Sequence, residues 1–250
     1  MGAARTASQS PDPKFKEEFV KKAKEEEDKI KAKEVEPVKE ATPTTIQFEE
    51  FEKVGPKPGG SSDGAKIKDK ATGIEYIAKF YEDPEQAIQE VITFKAYQLA
   101  GIKTPDARVV NAKIDGEERV FLLSEFMPNL SPYDPKGIDP EDAGRLHVAA
   151  ALMKDWDVIG LTKDNIAFGK LQGTGEPQLV QVDAGGSGVW KATGGKKNKE
   201  SKDIFDIPSN AIEDWSSIVS GMNKQADEVF RSAYQDNPTA YMKGVDKALT

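Results

Sequence analysis

The segment GIEYIAKFYEDPEQAIQEVITFKAYQLAG, residues 73–101, has the clearest secondary-structure pattern in the chain. In its first third, apolar and polar residues tend to alternate, and β-branched and aromatic residues are frequent. This pattern is typical of a half-buried strand. The pattern then becomes helical, with Asp83 as the N-cap, Pro84 at the first helical position and Gly101 as the stop signal. The sequence therefore predicts a strand that runs directly into one long helix.

Further strand-forming regions flank this unit on both sides. Upstream, IQFEEFEKVG (46–55) predicts a strand that leads through the glycine-rich loop GPKPGGSSDG (55–64) to a second strand. Downstream, ARVVNAKIDGEERVFLLSEFM (107–127) predicts a hairpin that turns at an Asp-Gly pair. We expect three strands, one helix and two more strands to form a small antiparallel lobe over residues 45–127.

The second half of the chain is predicted to form a larger, mainly helical lobe over residues 128–250. A polar loop precedes the alanine-rich helix EDAGRLHVAAALMKDW (141–156), and a second hairpin and helices from Ile204 onward follow it. His147 lies on the alanine-rich helix, where we expect it to be packed or to act as a cap rather than as a base. This order of elements indicates an α+β, two-lobed protein-kinase-like fold.

Residues 1–44 differ in composition from everything that follows. They are dominated by Lys and Glu, contain several prolines and have few apolar residues. Their charge pattern supports at most a solvated helix, because no apolar stripe is wide enough to be buried. We predict a disordered or solvent-exposed helical tether, and the alternative is a docking segment for a partner protein.

Composition narrows the chemistry that the chain can perform. The 250 residues include no Cys and one His, which excludes thiol catalysis and argues against zinc or histidine-built metal sites. The net charge of -8 argues against nucleic acid as a partner. No run of about 18 apolar residues predicts a membrane span, and the start lacks the apolar core of a secretory signal. We therefore expect a soluble protein whose chemistry uses carboxylates, lysine and main-chain groups.

Six residues of the small lobe are predicted to contact a nucleotide: Gly59, Gly60, Lys79, Glu90, Glu125 and Met127. The loop glycines let main-chain N–H groups approach phosphates. The lysine, in the third strand, would reach the phosphates, and the glutamate of the next helix would orient it as an ion pair. The last two residues belong to LLSEFM, the interlobe strand whose main-chain edge would meet adenine.

Four residues of the large lobe complete the predicted site: Asp157, Asp164, Asn165 and Asp183. The first three lie in the loop DWDVIGLTKDNIAF, and the fourth ends the strand in VQVDAGGSG (180–188). Phosphoryl transfer needs positioning and charge neutralisation, so a lysine, an asparagine and two aspartates with Mg²⁺ and ATP are a sufficient set. Taken singly, these residues also suit ordinary strand, turn and cap positions.

Two segments resemble the atypical kinase-fold domains related to HipA-like toxin kinases and phosphatidylinositol kinases. They are GPKPGG…IEYIAKFYEDPEQAIQEVITFKAYQLAGIKTPD and DWDVIGLTKDNIAF…VQVDAGGSGVWKATGG. The similarity spans roughly residues 48–230 and is nearest to the kinase-like domains of bacterial and phage proteins, some of them associated with head-morphogenesis or ADP-ribosyltransferase domains. It implies a location in the cytoplasm of a bacterial host or in a phage.

The resemblance also implies a role for each site residue. Lys79 would bind phosphate with Glu90 as its helix partner, Asp157 would be the catalytic aspartate, and Asn165 and Asp183 would bind metal. The chain departs from the family pattern at three points. Seven residues separate Asp157 from Asn165 where kinases have four, position 155 is Asp where Asn is expected, and the glycine loop lacks the usual spacing.

The long loop therefore leaves two candidates for the catalytic base. Asp157 is favoured because it follows the predicted helix directly, with residues 159–163 bulging outward, and Asp164 is the alternative. The function predicted is an ATP- and Mg²⁺-dependent phosphotransferase acting on a hydroxyl of an unknown protein, lipid or small molecule. The alternatives are a degenerate kinase-fold interaction or structural protein and a nucleotidyl (AMP) transferase.

Overall fold

A computed structural model describes eleven ranges of the chain: residues 44–46, 48–58, 63–114, 117–128, 130–132, 137–155, 157–160, 164–169, 178–191, 195–196 and 224–249. The predicted tether, up to residue 43, lies outside these ranges. So do the loop glycines Gly59 and Gly60 and the predicted helix that begins near Ile204. The site is therefore built from the remaining predicted residues, all of which are described.

Six strands form the sheet of the small lobe. They are β1 (Thr44–Ile46), β2 (Phe51–Pro56), β3 (Gly64–Asp69), β4 (Glu75–Phe80), β5 (Ala107–Ile114) and β6 (Glu117–Glu125). Their order is β1-β5-β6-β4-β3-β2, and every neighbouring pair is antiparallel except β1 with β5, which is parallel. The strand predicted over residues 46–55 is interrupted: β2 forms its second half, and β1 ends at Ile46. The chain there supplies both edges of the sheet, with a short 3-10 turn at Phe48–Glu50 between β1 and β2.

The helix predicted after β4 is present as α1 (Pro84–Leu99). The Asp83 side chain accepts a hydrogen bond from the Glu85 N–H at 3.0 Å, and Pro84 occupies the first turn. Gly101 follows the helix with φ of 80°, a left-handed conformation that glycine adopts without steric cost. One face of α1 packs against β5 and β6, so the helix is held firmly on the sheet.

The large lobe contains a second sheet and three described helices. The strands are β7 (Ser131–Pro132), β8 (Ile166–Gly169) and β9 (Gln178–Gln181), and the helices are α2 (Pro140–Leu152), α3 (Lys224–Asp236) and α4 (Pro238–Ala248). β8 and β9 form the predicted hairpin, and β7 pairs with the outer side of β8. The two lobes together confirm the predicted α+β, two-lobed kinase-like fold class.

The alanine-rich helix α2 ends four residues earlier than predicted. Lys154 has φ of 47°, the Lys154 N–H bonds to the Ala151 carbonyl at 3.2 Å, and the Asp155 N–H bonds to the Ala150 carbonyl at 2.8 Å. This pair of bonds is a Schellman motif, which terminates the helix although the residue in the left-handed position is not glycine. Asp157 therefore follows a short turn and not the helix itself.

The core of the large lobe is organised around a close crossing of α2 and α4. A Cβ added to Gly144 would lie 2.1 Å from the Tyr241 carbonyl, and one added to Gly244 would lie 1.9 Å from the Glu141 carbonyl. His147 is buried at this crossing, stacks on the Phe230 ring at 4.3 Å and hydrogen-bonds through Nδ1 to the Tyr241 hydroxyl. It is a packed core residue, in agreement with the sequence prediction.

Candidate functional site

The buried ammonium group of Lys79 is the centre of the candidate site. Its Nζ lies 2.7 Å from Oε1 of Glu90 and 3.1 Å from Oδ2 of Asp183. The Lys79 side chain is 5% exposed and the Glu90 side chain is fully buried, whereas the Asp183 side chain is 28% exposed. The structure therefore brings together three predicted residues from β4, from α1 and from the segment after β9.

Each carboxylate of this cluster is held by a second contact. The Tyr81 hydroxyl, just beyond β4, hydrogen-bonds to Oε2 of Glu90. Oδ1 of Asp183 accepts a hydrogen bond from the Gly185 N–H at 3.0 Å, and its main-chain carbonyl accepts one from Nε2 of Gln181 at 2.6 Å. A carboxylate with two fixed donors has little freedom to rotate. The cluster is therefore preorganised before any ligand arrives.

Electrostatics within the cluster favour the charged forms of Lys79 and Asp183. Burial by itself lowers the pKa of Lys79, but the Asp183 and Glu90 carboxylates outweigh it and hold that pKa above its ordinary value. Burial likewise raises the pKa of Asp183, but the Lys79 ammonium and the Gly185 N–H reverse this and lower it overall. Both groups are ionised at neutral pH, as a phosphate- and metal-binding role requires.

The inner face of α1 contacts the large lobe through a row of polar side chains. Gln86, Glu90, Thr93 and Tyr97 recur at helical spacing, and all four are buried. Gln86 Nε2 donates to the Gly185 carbonyl at 3.2 Å, Thr93 Oγ1 lies 2.7 Å from Ser187 Oγ, and Tyr97 OH donates to Oδ2 of Asp155 at 2.6 Å. We call these four residues the α1 polar row.

Only Glu90 of the α1 polar row was identified from the sequence. Its other members are residue types found in any amphipathic helix, so composition does not distinguish them. Their helical spacing could have identified them as one face of the helix. Polar side chains on a buried helix face need hydrogen-bond partners in a neighbouring element. The partners themselves, near Asp183 and in the loop after α2, lie about 60 to 100 residues further along the chain and could not be named in advance.

The loop after α2 fixes Asp157 by its main chain. The Asp157 N–H donates to Oδ1 of Asp155 at 3.3 Å, and the side-chain amide of Asn165 donates to the Asp157 carbonyl. Asp155, the residue that departs from the family pattern, thus joins Tyr97 of the α1 polar row to the backbone of Asp157. Asp157 is partly buried in this arrangement.

Asp164 lies in a different environment within the same loop. Its side chain is exposed, and its Oδ1 is 2.7 Å from the position that a Cβ on Gly160 would occupy. The predicted outward bulge of residues 159–163 is wrong at its start, because Ile159 is fully buried in the main core. The hydrophobic effect holds Ile159 in the core, and Asp157, two residues earlier, is partly buried beside it. Asp164 lies at the surface.

Asn165 and Asp183 lie at adjacent ends of the β8–β9 hairpin. The Val182 N–H donates to the Asn165 carbonyl at 2.9 Å, which extends the ladder that begins at the Ile166–Gln181 pair. Within the described ranges, no group of three or more acidic or histidine side chains could hold a metal ion. A carboxylate and an amide nevertheless suit Mg²⁺, because this ion is usually held by one or two protein oxygens together with waters and substrate phosphates.

Glu125 and Met127 lie where β6 leaves the small-lobe sheet. Glu125 pairs with Tyr76 of β4, and Leu122, three residues earlier on β6, pairs with Lys79. At about 3.4 Å per residue, Glu125 lies about 10 Å along the sheet from the level of Lys79. Along the strands, the predicted adenine contact Glu125 is thus separated from the Lys79 main chain by a distance that a ribose and its phosphates can span.

Comparison with known proteins finds similarity to solved structures. No family model and no curated protein matches the chain. A solved structure that matches is that of the Helicobacter pylori proinflammatory kinase CtkA, at 13% identity and a TM-score of 0.39, covering 82% of the present chain and 98% of that kinase. At this level of similarity the activity of that kinase is not transferred to this chain.

Among the helices that the structure describes, none has the length and apolar content of a bilayer-spanning segment.

Proposed function

We propose that this protein is a kinase-like phosphotransferase that uses ATP and Mg²⁺. The observation that supports the proposal most strongly is the buried Lys79 ammonium between the carboxylates of Glu90 and Asp183. Burying the Lys79–Glu90 ion pair costs free energy, and a helix–strand salt bridge of this kind is not needed to hold a sheet together. An arrangement that orients phosphates explains why the chain tolerates that cost.

Each residue of the cluster has a distinct part in this proposal. Lys79 would contact the nucleotide phosphates, and Glu90 would hold its ammonium in place through the 2.7 Å ion pair. Asp183 and Asn165 would hold Mg²⁺ through oxygen atoms, and the ion supplies neutralisation of the charge that develops on the phosphates.

Asp157 is the favoured base in this proposal. The oxygen of an acceptor hydroxyl would bond to the γ-phosphorus, the bond from that phosphorus to the β,γ-bridging oxygen would break, and ADP would leave. The hydroxyl proton would pass to the Asp157 carboxylate. The main chain of Asp157 is fixed on both sides, by Asp155 and by Asn165, which is the positional precision that a base needs. Asp164, at an exposed position, remains the alternative.

The acceptor is proposed only as a class, the hydroxyl of a protein, a lipid head group or a small molecule. Because the sequence resembles HipA-like kinases and kinase-like domains of bacterial and phage proteins, the proposed location is a bacterial cytoplasm or a phage. The charged segment before β1 is the proposed contact for a protein partner, because its charges favour a solvated, accessible chain.

Incubation with γ-labelled and α-labelled ATP tests the proposal directly. The expected products are ADP and a labelled acceptor, with the protein itself included among the acceptors tested. Asp157→Asn should abolish transfer while nucleotide binding persists. The exposed Asp164→Asn serves as the matched control and should reduce the rate much less. Release of pyrophosphate with transfer of AMP would instead establish the nucleotidyl transferase, and absence of nucleotide binding would establish a non-catalytic kinase-fold protein.

A further inference from the structure

Lys57, at the start of the glycine-rich loop, lies on the same face of the sheet as Lys79. Pro56 of β2 pairs with Ala65 of β3, and Gly64 of β3 pairs with Lys79 of β4. Extending the β2–β3 register by one residue sets Lys57 opposite Gly64. Residues directly opposite each other in antiparallel strands point to the same face. The two lysines are thus separated only by a residue that has no side chain.

The side chain of Lys57 crosses the space that Gly64 leaves open. Its Cδ lies 3.1 Å from the point that a Cβ on Gly64 would occupy. The lysine is half-buried, and its charge interacts favourably with Asp183 and Glu90 and unfavourably with Lys79. Burial and the neighbouring Lys79 ammonium lower the pKa of Lys57 below its ordinary value, which agrees with a position inside the site.

The charge balance of the cluster shows why a second cation matters. Lys79 contacts two carboxylates, so the cluster of Lys79, Glu90 and Asp183 carries one more negative than positive charge. A phosphate that approached this cluster alone would meet a net negative site in a region of reduced dielectric screening. The Lys57 ammonium restores neutrality before any metal is bound.

We propose that Lys57 is a second phosphate-binding residue, which acts with Lys79 to make this site accept a polyphosphate. The inference rests on the proposed function and names a residue that the kinase pattern in the sequence did not identify. Without ligand, the Lys57 ammonium compensates the net negative charge of the cluster. When a polyphosphate enters, the flexible stem of Lys57 turns the ammonium toward it, while Lys79 remains held by Glu90.

The test is a binding measurement on the full chain by titration calorimetry, with two probes. MgATP tests the nucleotide site, and inorganic tripolyphosphate without metal tests the lysine pair alone. The variants are Lys57→Gln, Lys57→Arg and the control Lys53→Gln, which removes an exposed lysine from β2, the strand that leads to Lys57. Lys57→Met, which keeps the apolar stem against Gly64, replaces the glutamine variant if circular dichroism shows that the latter is unfolded.

The expected result is that Lys57→Gln raises the Kd for both probes by about ten- to a hundredfold, the range for losing a charged hydrogen bond. Lys57→Arg should stay near the wild type, and Lys53→Gln should be unchanged. Equal binding by the wild type and Lys57→Gln overturns the inference and leaves the proposed function standing. If the wild type binds tripolyphosphate through Lys57 but does not bind ATP, the inference holds and the proposed function fails. If it binds neither probe, both are wrong.

Discussion

The buried ammonium group of Lys79 is neutralised by its two carboxylate partners, Glu90 and Asp183. Removing this ammonium group leaves the Glu90 and Asp183 carboxylates without their nearest cation, and Glu90 is fully buried. We expect Lys79→Met to lower the free energy of unfolding by about 3 kcal/mol, the cost of breaking a buried ion pair from one side. Urea denaturation of the ligand-free protein at neutral pH measures this loss.

The double variant Lys79→Met/Glu90→Gln is the matched control for that loss. Since it also removes the buried charge that Lys79 compensated, its free energy of unfolding should fall by less than the sum of the two single variants. Strictly additive losses would show that Lys79 and Glu90 are not coupled in solution.

His147 gives a prediction about pH at the same scale. Burial lowers the His147 pKa to about 3 in the folded protein, against about 6.5 in the unfolded chain. Between these values the unfolded chain binds more protons, so stability is lost as the pH falls below about 6.5, at about 1.4 kcal/mol per pH unit. The free energy of unfolding of His147→Gln should not include this dependence on pH.

The measurement is the difference in unfolding free energy between the wild type and His147→Gln at about pH 7 and about pH 5. The advantage of the wild type should shrink by about 2 kcal/mol over this interval, because only the wild type has the histidine to protonate on unfolding. The comparison between the two proteins cancels the carboxylates that they share. A constant difference would mean that His147 titrates normally in the folded state.

Whole elements are positioned by a few close main-chain contacts, of which the crossing of α2 and α4 is the clearest. In an exposed helix, Gly→Ala is favourable by about 1 kcal/mol. At Gly244 the added Cβ would lie 1.9 Å from the Glu141 carbonyl, so the helices would have to separate. We expect Gly244→Ala to lower the free energy of unfolding by about 2 kcal/mol, as overpacked cores do.

Gly137→Ala provides the control for the helix crossing. This glycine precedes α2, and nothing lies within 4 Å of its Cβ position. The substitution should leave stability unchanged or raise it by up to about 1 kcal/mol, by restricting the unfolded chain. Thermal and urea denaturation of both variants distinguish a steric effect at the crossing from a general effect of replacing glycine. Similar stability changes in both variants would show that the crossing is looser than its geometry indicates.

At the scale of the whole molecule, the α1 polar row joins the small lobe to the large one. Because Lys79 lies in one lobe and Asp183 in the other, a ligand held by both should stabilise the pair of lobes together. We expect MgATP at a hundredfold excess over its Kd to add about 2.7 kcal/mol to the stability of the fold. For a chain of this length, this raises Tm by about 5–10 °C.

Asp183→Ala identifies the metal-dependent part of that stabilisation. The variant should lose the difference between ATP with and without Mg²⁺, while Lys79 and Glu90 retain their ion pair. Scanning calorimetry with ATP, with MgATP and with Mg²⁺ alone provides the comparison. An unchanged melting temperature of the wild type at millimolar nucleotide would contradict the proposed function at this scale.

Sequence patterns alone were enough to predict the strand-to-helix unit at residues 73–101, the β8–β9 hairpin and the α+β class. These features depend on local periodicity, caps and turn residues, which act between neighbours in the chain. The Lys79–Glu90 ion pair was also predictable, since a strand and the helix that directly follows it carry the two residues.

Features that depend on contacts between residues distant in the sequence became apparent only in the folded protein. The tertiary structure placed β1 and β2 at opposite edges of one sheet, ended α2 at Leu152 and buried Ile159. It also gave Gln86, Thr93 and Tyr97 their partners in the large lobe and brought Lys57 over Gly64. The physical reason is that burial and pairing free energies depend on which surfaces meet in space, and a local pattern does not carry that information.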